Sequence, residues 1–93
     1  MRNEDKWLVD WFEQRGPVPG NTPEEKLQVD YFESGLIDSF GVIELITEVE
    51  QYFKISFEER HFQERRFPII GGLSELIAEL THSNYGEKSY HDQ

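Results

Sequence analysis

From Val42 to Phe53, apolar side chains fall at Val42, Ile46, Val49 and Phe53, with polar Glu44, Glu48 and Gln51 between them. That period belongs to an amphipathic helix and fits no strand. The stretch also has a defined start. Asp38 is suited to N-cap duty, because its carboxylate can accept from the orphan N–H groups of a first turn. The principal helix is therefore expected from about Ser39 to Lys54, with Ser39 at its first position and its hydroxyl at the solvent-facing rim. A phosphate attached there would meet the positive end of the helix dipole. Most Asp-Ser pairs that open a helix are only caps, so this geometry permits a modified serine without demanding one.

The rest of the chain reads as further helices joined by irregular segments. Trp7, Leu8, Trp11 and Phe12 stand in i, i+3 and i, i+4 relations and predict a first helix over about Asn3 to Gln14, with Asn3 as a possible cap. The two tryptophans suit core packing; a partner-binding stripe is the alternative. Pro17, Pro19 and their flanking glycines end that helix. Thr22-Pro23-Glu24-Glu25 supplies a Thr cap, a proline at the first helical position and a Glu at the third, enough for a short turn through Leu27 inside a long loop. Val29, Tyr31 and Phe32 are expected to anchor that loop over the core, and Gly35 to allow its last bend. Ser56 and Glu59 predict a short helix near Phe57 to Gln63, with Phe57 and Phe62 as anchors. Arg65 and Arg66 suit ion pairs with nearby glutamates. Leu73, Leu76, Ile77 and Leu80 predict a final helix from about Ile70 to Thr81, whose Gly71-Gly72 pair makes the start costly. The polar tail from about residue 82 is expected to fray, with Tyr85 and Tyr90 available for small contacts.

The fold class expected is all-α: a compact three- or four-helix bundle in one domain over residues 1–93, with no repeat or low-complexity block. The inward set is Trp7, Trp11, Phe32, Ile43, Ile46, Val49, Phe53, Phe62, Leu73, Leu76 and Ile77. Gly41 weakens the first turn of the principal helix by about 1 kcal/mol relative to alanine. It admits either a close partner or cofactor, or tight helix packing.

Charge narrows the partners. Nine basic and nineteen acidic residues give a formal net charge of −10, which disfavours nucleic acid and anionic membrane surfaces and suits a partner with a basic patch. Solubility alone explains the same acidity. With no cysteine, disulfides and thiolate chemistry by the protein's own side chains are excluded. No apolar run approaches the roughly 20 residues that span a bilayer, and the opening residues lack a signal-peptide pattern. No membrane insertion and a cytoplasmic location are expected.

Gly35 to Phe53 resembles the attachment region of acyl and peptidyl carrier proteins, in which an Asp-Ser-Leu motif follows a loop and opens the second helix. Phe40 departs from that motif, where leucine is commoner. Asp38-Ser39-Phe40-Gly41 looks particularly like the D-alanyl carrier proteins and related free-standing carriers. The family's four-helix layout, with its long first loop and short third helix, covers about Trp7 to Leu80. The resemblance implies a covalent 4'-phosphopantetheine on Ser39, with Asp38 capping the helix and supporting attachment. Any magnesium that Asp38 helps to hold would belong to the attaching enzyme's complex. It also implies a non-catalytic subunit that holds an acyl or aminoacyl group as a thioester. The implied partners are a phosphopantetheinyl transferase, an acyl- or aminoacyl-loading ligase, and a downstream acyl-transfer or condensing enzyme.

Partner recognition falls by resemblance on the face of the second helix, here Phe40, Glu44, Thr47 and Glu48. The residues themselves place an apolar side chain beside Ser39 and acidic ones a turn or two beyond. Glu44 and Glu48 are like charges four apart, which costs an isolated helix a few tenths of a kcal/mol, and a basic partner would recover that loss. A solvated acidic face with Phe40 folded onto the core is the alternative. So is a small acidic interaction module without a prosthetic group. A serine hydrolase would need His61 or His82 as a base, but neither lies in a catalytic motif and no Gly-x-Ser-x-Gly elbow surrounds Ser39. No short metal-ligand spacing links His61, His82 and His91, and no P-loop is present.

Overall fold

Helices follow from where the chain can cap and where it cannot continue. The structure, a computed structural model, describes the backbone of residues 1–91 and side chains through residue 82. Among these, the helices are α1 (Asn3–Glu13), α2 (Pro23–Leu27), α3 (Ser39–Phe53), α4 (Glu59–Phe62) and α5 (Ile70–His91). The all-α class expected from sequence holds. The only extended pairing among the described residues is an isolated antiparallel bridge between Asp30 and Ile69.

Two caps are as expected. Asp38 Oδ1 accepts from Gly41 N–H at 2.9 Å and opens α3, and Thr22 Oγ1 accepts from Glu25 N–H at 3.1 Å and opens α2. Two others differ. Arg2, not Asn3, caps α1, and its N–H donates to Asp5 Oδ2 at 3.1 Å. Glu58, not Ser56, caps α4, and its N–H donates to His61 Nδ1 at 2.8 Å. In both, a side chain three residues on reaches back to satisfy an orphan donor; for α4 the expected pattern is Ser56-x-x-Glu59, and for α1 a simple Asn3 cap. The main helix ends at Phe53 because Lys54 turns left-handed, at φ 59°. The last helix runs to His91 instead of stopping near Thr81. No proline follows Thr81 and the first glycine after it is Gly86, so the local chain offers little to end a helix there. The expected fraying and the Tyr85 and Tyr90 contacts lie outside the described side chains.

The core is drawn from α1, α3 and α5. Leu8, Phe12, Leu45, Val49, Leu73, Leu76 and Ile77 are each at most 1% exposed. Trp11 is buried as expected, while Trp7, Ile46 and Phe53 are half-buried against the cluster. Three residues of the expected core are outside it. Ile43 is 63% exposed and Leu45 takes its place. At about 100° per residue the two lie about 200° apart on the helix, so the seam is Val42, Leu45, Val49 and Phe53, with Ile46 at its edge. Phe32 is exposed because its neighbour Tyr31 fills the core, stacked on Phe12 with ring centres 5.1 Å apart. Asp30 Oδ1 accepts from the N–H groups of Phe32 and Glu33, at 2.9 and 2.8 Å, and holds the turn that sends Phe32 outward. Phe62 remains at the surface, edge-on to Phe67 at 5.2 Å, because buried Phe67 and His61 occupy the interior below it.

The long loop before α3 is tied down at Tyr31. Its N–H donates to Pro68 O at 3.0 Å, its hydroxyl donates to Phe67 O, and Ile70 N–H donates to Val29 O at 3.0 Å. Burial pushes the Tyr31 phenol pKa far upward, which keeps it a donor. The Gly71-Gly72 pair is explained by close approach: a Cβ on Gly72 would overlap the Arg66 carbonyl oxygen, and one on Gly71 would meet Leu27 O at 2.9 Å. Arg66 binds Glu64, Glu75 and Glu79 at 2.9, 3.1 and 2.7 Å and anchors the start of α5.

Candidate functional site

Ser39 stands where local chain physics puts it, at the first position of α3. Ile37 N–H donates to Tyr31 O at 3.3 Å, which brings the loop back to the anchored Tyr31 before the helix starts. Gly35 makes the preceding bend at φ 77°, a conformation that side chains other than glycine resist. Ser39 is exposed, and its hydroxyl makes no hydrogen bond with a described residue. Gly41 serves packing: a Cβ there would lie 2.7 Å from Ile37 Cβ. It allows the loop to close over the first turn.

An open groove runs beside Ser39, lined by Arg15, Leu36, Ile37, Phe40, Ile43 and Glu44 among others. Phe40 is 82% exposed and does not fold back onto the core. With Ile43, Glu44 and Thr47 it forms one outward stripe at i, i+3, i+4 and i+7. Thr47 Oγ1 donates to Ile43 O at 2.8 Å, so its hydrogen is committed to its own helix. Glu48 also lies near this face, but one oxygen accepts from Trp11 Nε1–H at 2.9 Å. Arg15 sits 3.6 Å from Glu44 and 3.7 Å from Glu48. Its guanidinium lies 3.5 Å over the Trp11 ring and donates to Trp11 O at 3.0 Å.

Two residues of this face were missed from sequence. Ile43 carries a signal, since it is three residues beyond Phe40 on the same side, although its apolar character predicts an inward position. Arg15 carried none, because it reaches the site through folding from the far end of α1. The histidines fall elsewhere. His61 is buried and its Nδ1 is taken by Glu58 N–H, while His82 lies in a groove with Arg2, Glu4 and Glu79. Neither lines the groove beside Ser39. No group of three His, Asp or Glu side chains among the described residues could hold a metal ion, and no described helix is long and apolar enough to cross a membrane.

Residues 18–77 match the family model described as the phosphopantetheine attachment site. The chain belongs to this acyl carrier family. It is also 30% identical over 59 residues to the D-alanyl carrier proteins of Streptococcus suis (strain 05ZYH33) and Streptococcus equi subsp. zooepidemicus (strain MGCS10565), a span of 63% of this chain and 75% of each relative. No solved structure matches the chain. Membership makes the protein a carrier and implies a 4'-phosphopantetheine group covalently attached to a serine. Within the matched carrier segment the serines are Ser34, Ser39, Ser56 and Ser74. Ser74 is fully buried, and only Ser39 is both exposed and the opening residue of a helix.

Proposed function

We propose that Ser39 carries the phosphopantetheine arm and that the protein holds an acyl or aminoacyl group as a thioester for separate enzymes. The carrying observation is the exposed Ser39 at the first position of α3, beside the Asp38 cap. In the attachment step the Ser39 oxygen attacks the phosphorus of coenzyme A that bears the pantetheine. A phosphodiester forms, the pyrophosphate bond breaks, and adenosine 3',5'-bisphosphate leaves. The serine proton passes to a base of a phosphopantetheinyl transferase. Asp38 keeps the first turn of α3 fixed, and its carboxylate would help to hold that enzyme's cation.

The arm then supplies the thiol that the chain itself lacks. A ligase loads it, and an acyl-transfer or condensing enzyme unloads it, while the carrier performs no acid–base step. D-alanine, named in the similar proteins, is one cargo to test. Phe40, Ile43, Glu44, Thr47 and Glu48 form the partner-facing patch, Ile43 being added because it is exposed on the same stripe. The carrier unit is a single domain working in the cytoplasm.

Thiol titration tests this cleanly in a cysteine-free chain. The apo protein should show no thiol. After treatment with transferase and coenzyme A, then removal of the small molecules, it should show one per chain. Ser39→Ala should show none. A wild-type chain that gains no thiol with several competent transferases would instead be an acidic interaction module.

A further inference from the structure

His61 is the one buried histidine among the described residues, 4% exposed, and the carrier chemistry makes no use of it. Its side chain caps its own helix. Glu58 N–H donates to His61 Nδ1 at 2.8 Å, and His61 N–H donates back to Glu58 O at 2.9 Å. A ring that accepts at Nδ1 is neutral and carries its hydrogen on Nε2. The helix it closes, α4, is four residues long, too short to hold itself by propensity. The other support is aromatic. The His61 ring stands edge-on to Phe57 at 5.9 Å, and Phe57 and Phe62 lean on buried Phe67 at 6.3 and 5.2 Å.

We infer that His61 is a proton-released latch on α4: in mild acid a proton binds Nδ1, Glu58 N–H loses its acceptor, the ring leaves the interior and α4 opens. Imidazole is the side chain whose charge ordinarily changes between about pH 5 and 8. Once Nδ1 is protonated, both ring nitrogens are donors, and Nδ1–H would point at the Glu58 N–H across the same short separation. Burying the charged ring without a partner is also costly. Carboxylates lie towards the surface. Glu58 at the cap, Glu64 on the following turn and Glu79 on α5 all attract a charged His61. Arg60, next to it in the chain and paired with Glu58 at 3.0 Å, opposes, as does Arg66, which binds Glu64 and Glu79. From α3, Glu50 accepts from Phe57 N–H at 2.8 Å and keeps the entry to α4 in place. The segment therefore has two arrangements, a neutral buried ring that caps α4 and a charged ring drawn outward. Opening stays local, because Tyr31 holds Phe67 O and Pro68 O without help from His61. It uncovers Phe57 and Phe62 and leaves the packing of α1, α3 and α5 in place. Nothing in this device depends on modification of Ser39.

The test is nuclear magnetic resonance of the intact chain between about pH 7.5 and 5.5, above the range in which most carboxylates titrate. At the upper end the His61 nitrogen shifts should show hydrogen on Nε2 and none on Nδ1. As the pH falls, the His61 ring and the Glu58 amide should move with a common midpoint, and the helical shifts of Glu59–Phe62 should be lost. Those of α1 and α3 should persist. Protection of the Glu58 amide from exchange, corrected for the intrinsic effect of pH, should fall about tenfold, as the loss of one hydrogen bond gives. His61→Gln keeps a neutral acceptor that can cap in the same way, so its α4 should show no transition over this range. His82→Gln should keep the wild-type transition. A proton on Nδ1 at the upper end, or a ring that does not titrate within the range, would overturn the inference. So would a ring that titrates without moving Glu58 and α4, or a transition that persists in folded His61→Gln. Should His61→Gln fail to fold, the wild-type titration decides alone.

Discussion

Trp11 Nε1–H donates to Glu48 Oε1 at 2.9 Å, joining the buried face of α1 to the edge of the α3 face that flanks Ser39. The bond explains why a tryptophan is placed at 11, since its ring fills the core while its one polar atom leaves the core and meets a carboxylate. It also explains how Glu44 and Glu48 tolerate each other four residues apart. The like charges are compensated from within the chain by Trp11 and Arg15.

Trp11→Phe keeps most of the apolar area and removes the donor. A hydrogen bond to a charged group is worth about 1.5–3 kcal/mol, and Glu48 can regain water, so a loss of about 1–2 kcal/mol is expected. Urea unfolding should show a lower midpoint with an unchanged slope. An unchanged midpoint would mean that the bond contributes nothing net.

Gly41→Ala sets helix propensity against packing. Propensity favours alanine in a helix by about 1 kcal/mol, yet the new methyl would stand 2.7 Å from Ile37 Cβ and 3.5 Å from Asp38 Oδ1. Overpacking of this kind typically costs about 1–3 kcal/mol, so net destabilisation is expected in thermal or urea unfolding. A more stable protein would show that the Ile37 loop yields freely.

The elements that obey local rules were legible in the sequence. Asp38 and Thr22 cap the helices they were expected to cap, and α3 starts at Ser39, because these choices depend on a few adjacent residues. Rotation of the main helix was less so. Val42, Val49 and Phe53 were rightly placed inward, but Ile43 and Leu45 are both large and apolar, and only the position of α1 and α5 decides which faces them. Phe32 and Tyr31 pose the same choice, settled by a hydroxyl that reaches Phe67 O across the fold. The Asp38–Ser39 start of α3 was readable because it is local. The approach of Arg15 to Glu44 and Glu48 was not, since it depends on where the chain just after α1 meets α3.

Leu45→Ala and Ile43→Ala test the corrected rotation together. Leu45 is fully buried, so its truncation should cost about 2–5 kcal/mol, whereas Ile43 is 63% exposed and should cost within about 0.5 kcal/mol. Chemical unfolding of the pair checks this. Equal losses would return Ile43 to the core.

Acid stability should depend on Asp5, which is only 5% exposed. Burial is the largest single influence and pushes its pKa up, but Ser74, the Arg2 N–H and the Arg2 guanidinium together outweigh it and hold the carboxyl below the ordinary 3.8. The Ser74 hydroxyl meets no partner at strict hydrogen-bond geometry among the described residues. Its proximity therefore counts for less than the Arg2 N–H at 3.1 Å. Because the folded value is depressed, the stabilisation is present above pH 3.8 and is lost as pH falls through the folded value. Asp5→Asn should lower stability at neutral pH and flatten the acid arm of the stability curve. An acid arm identical in both proteins would remove Asp5 from this role.

The site of attachment is tested most directly by tandem mass spectrometry of the protein after reaction with a phosphopantetheinyl transferase and coenzyme A. One phosphopantetheine should be added per chain, on Ser39 within the peptide that spans Asp38 to Lys54, and Ser39→Ala should gain none. The same modification mapped to Ser34 or Ser56, or retained by Ser39→Ala, would contradict the assignment.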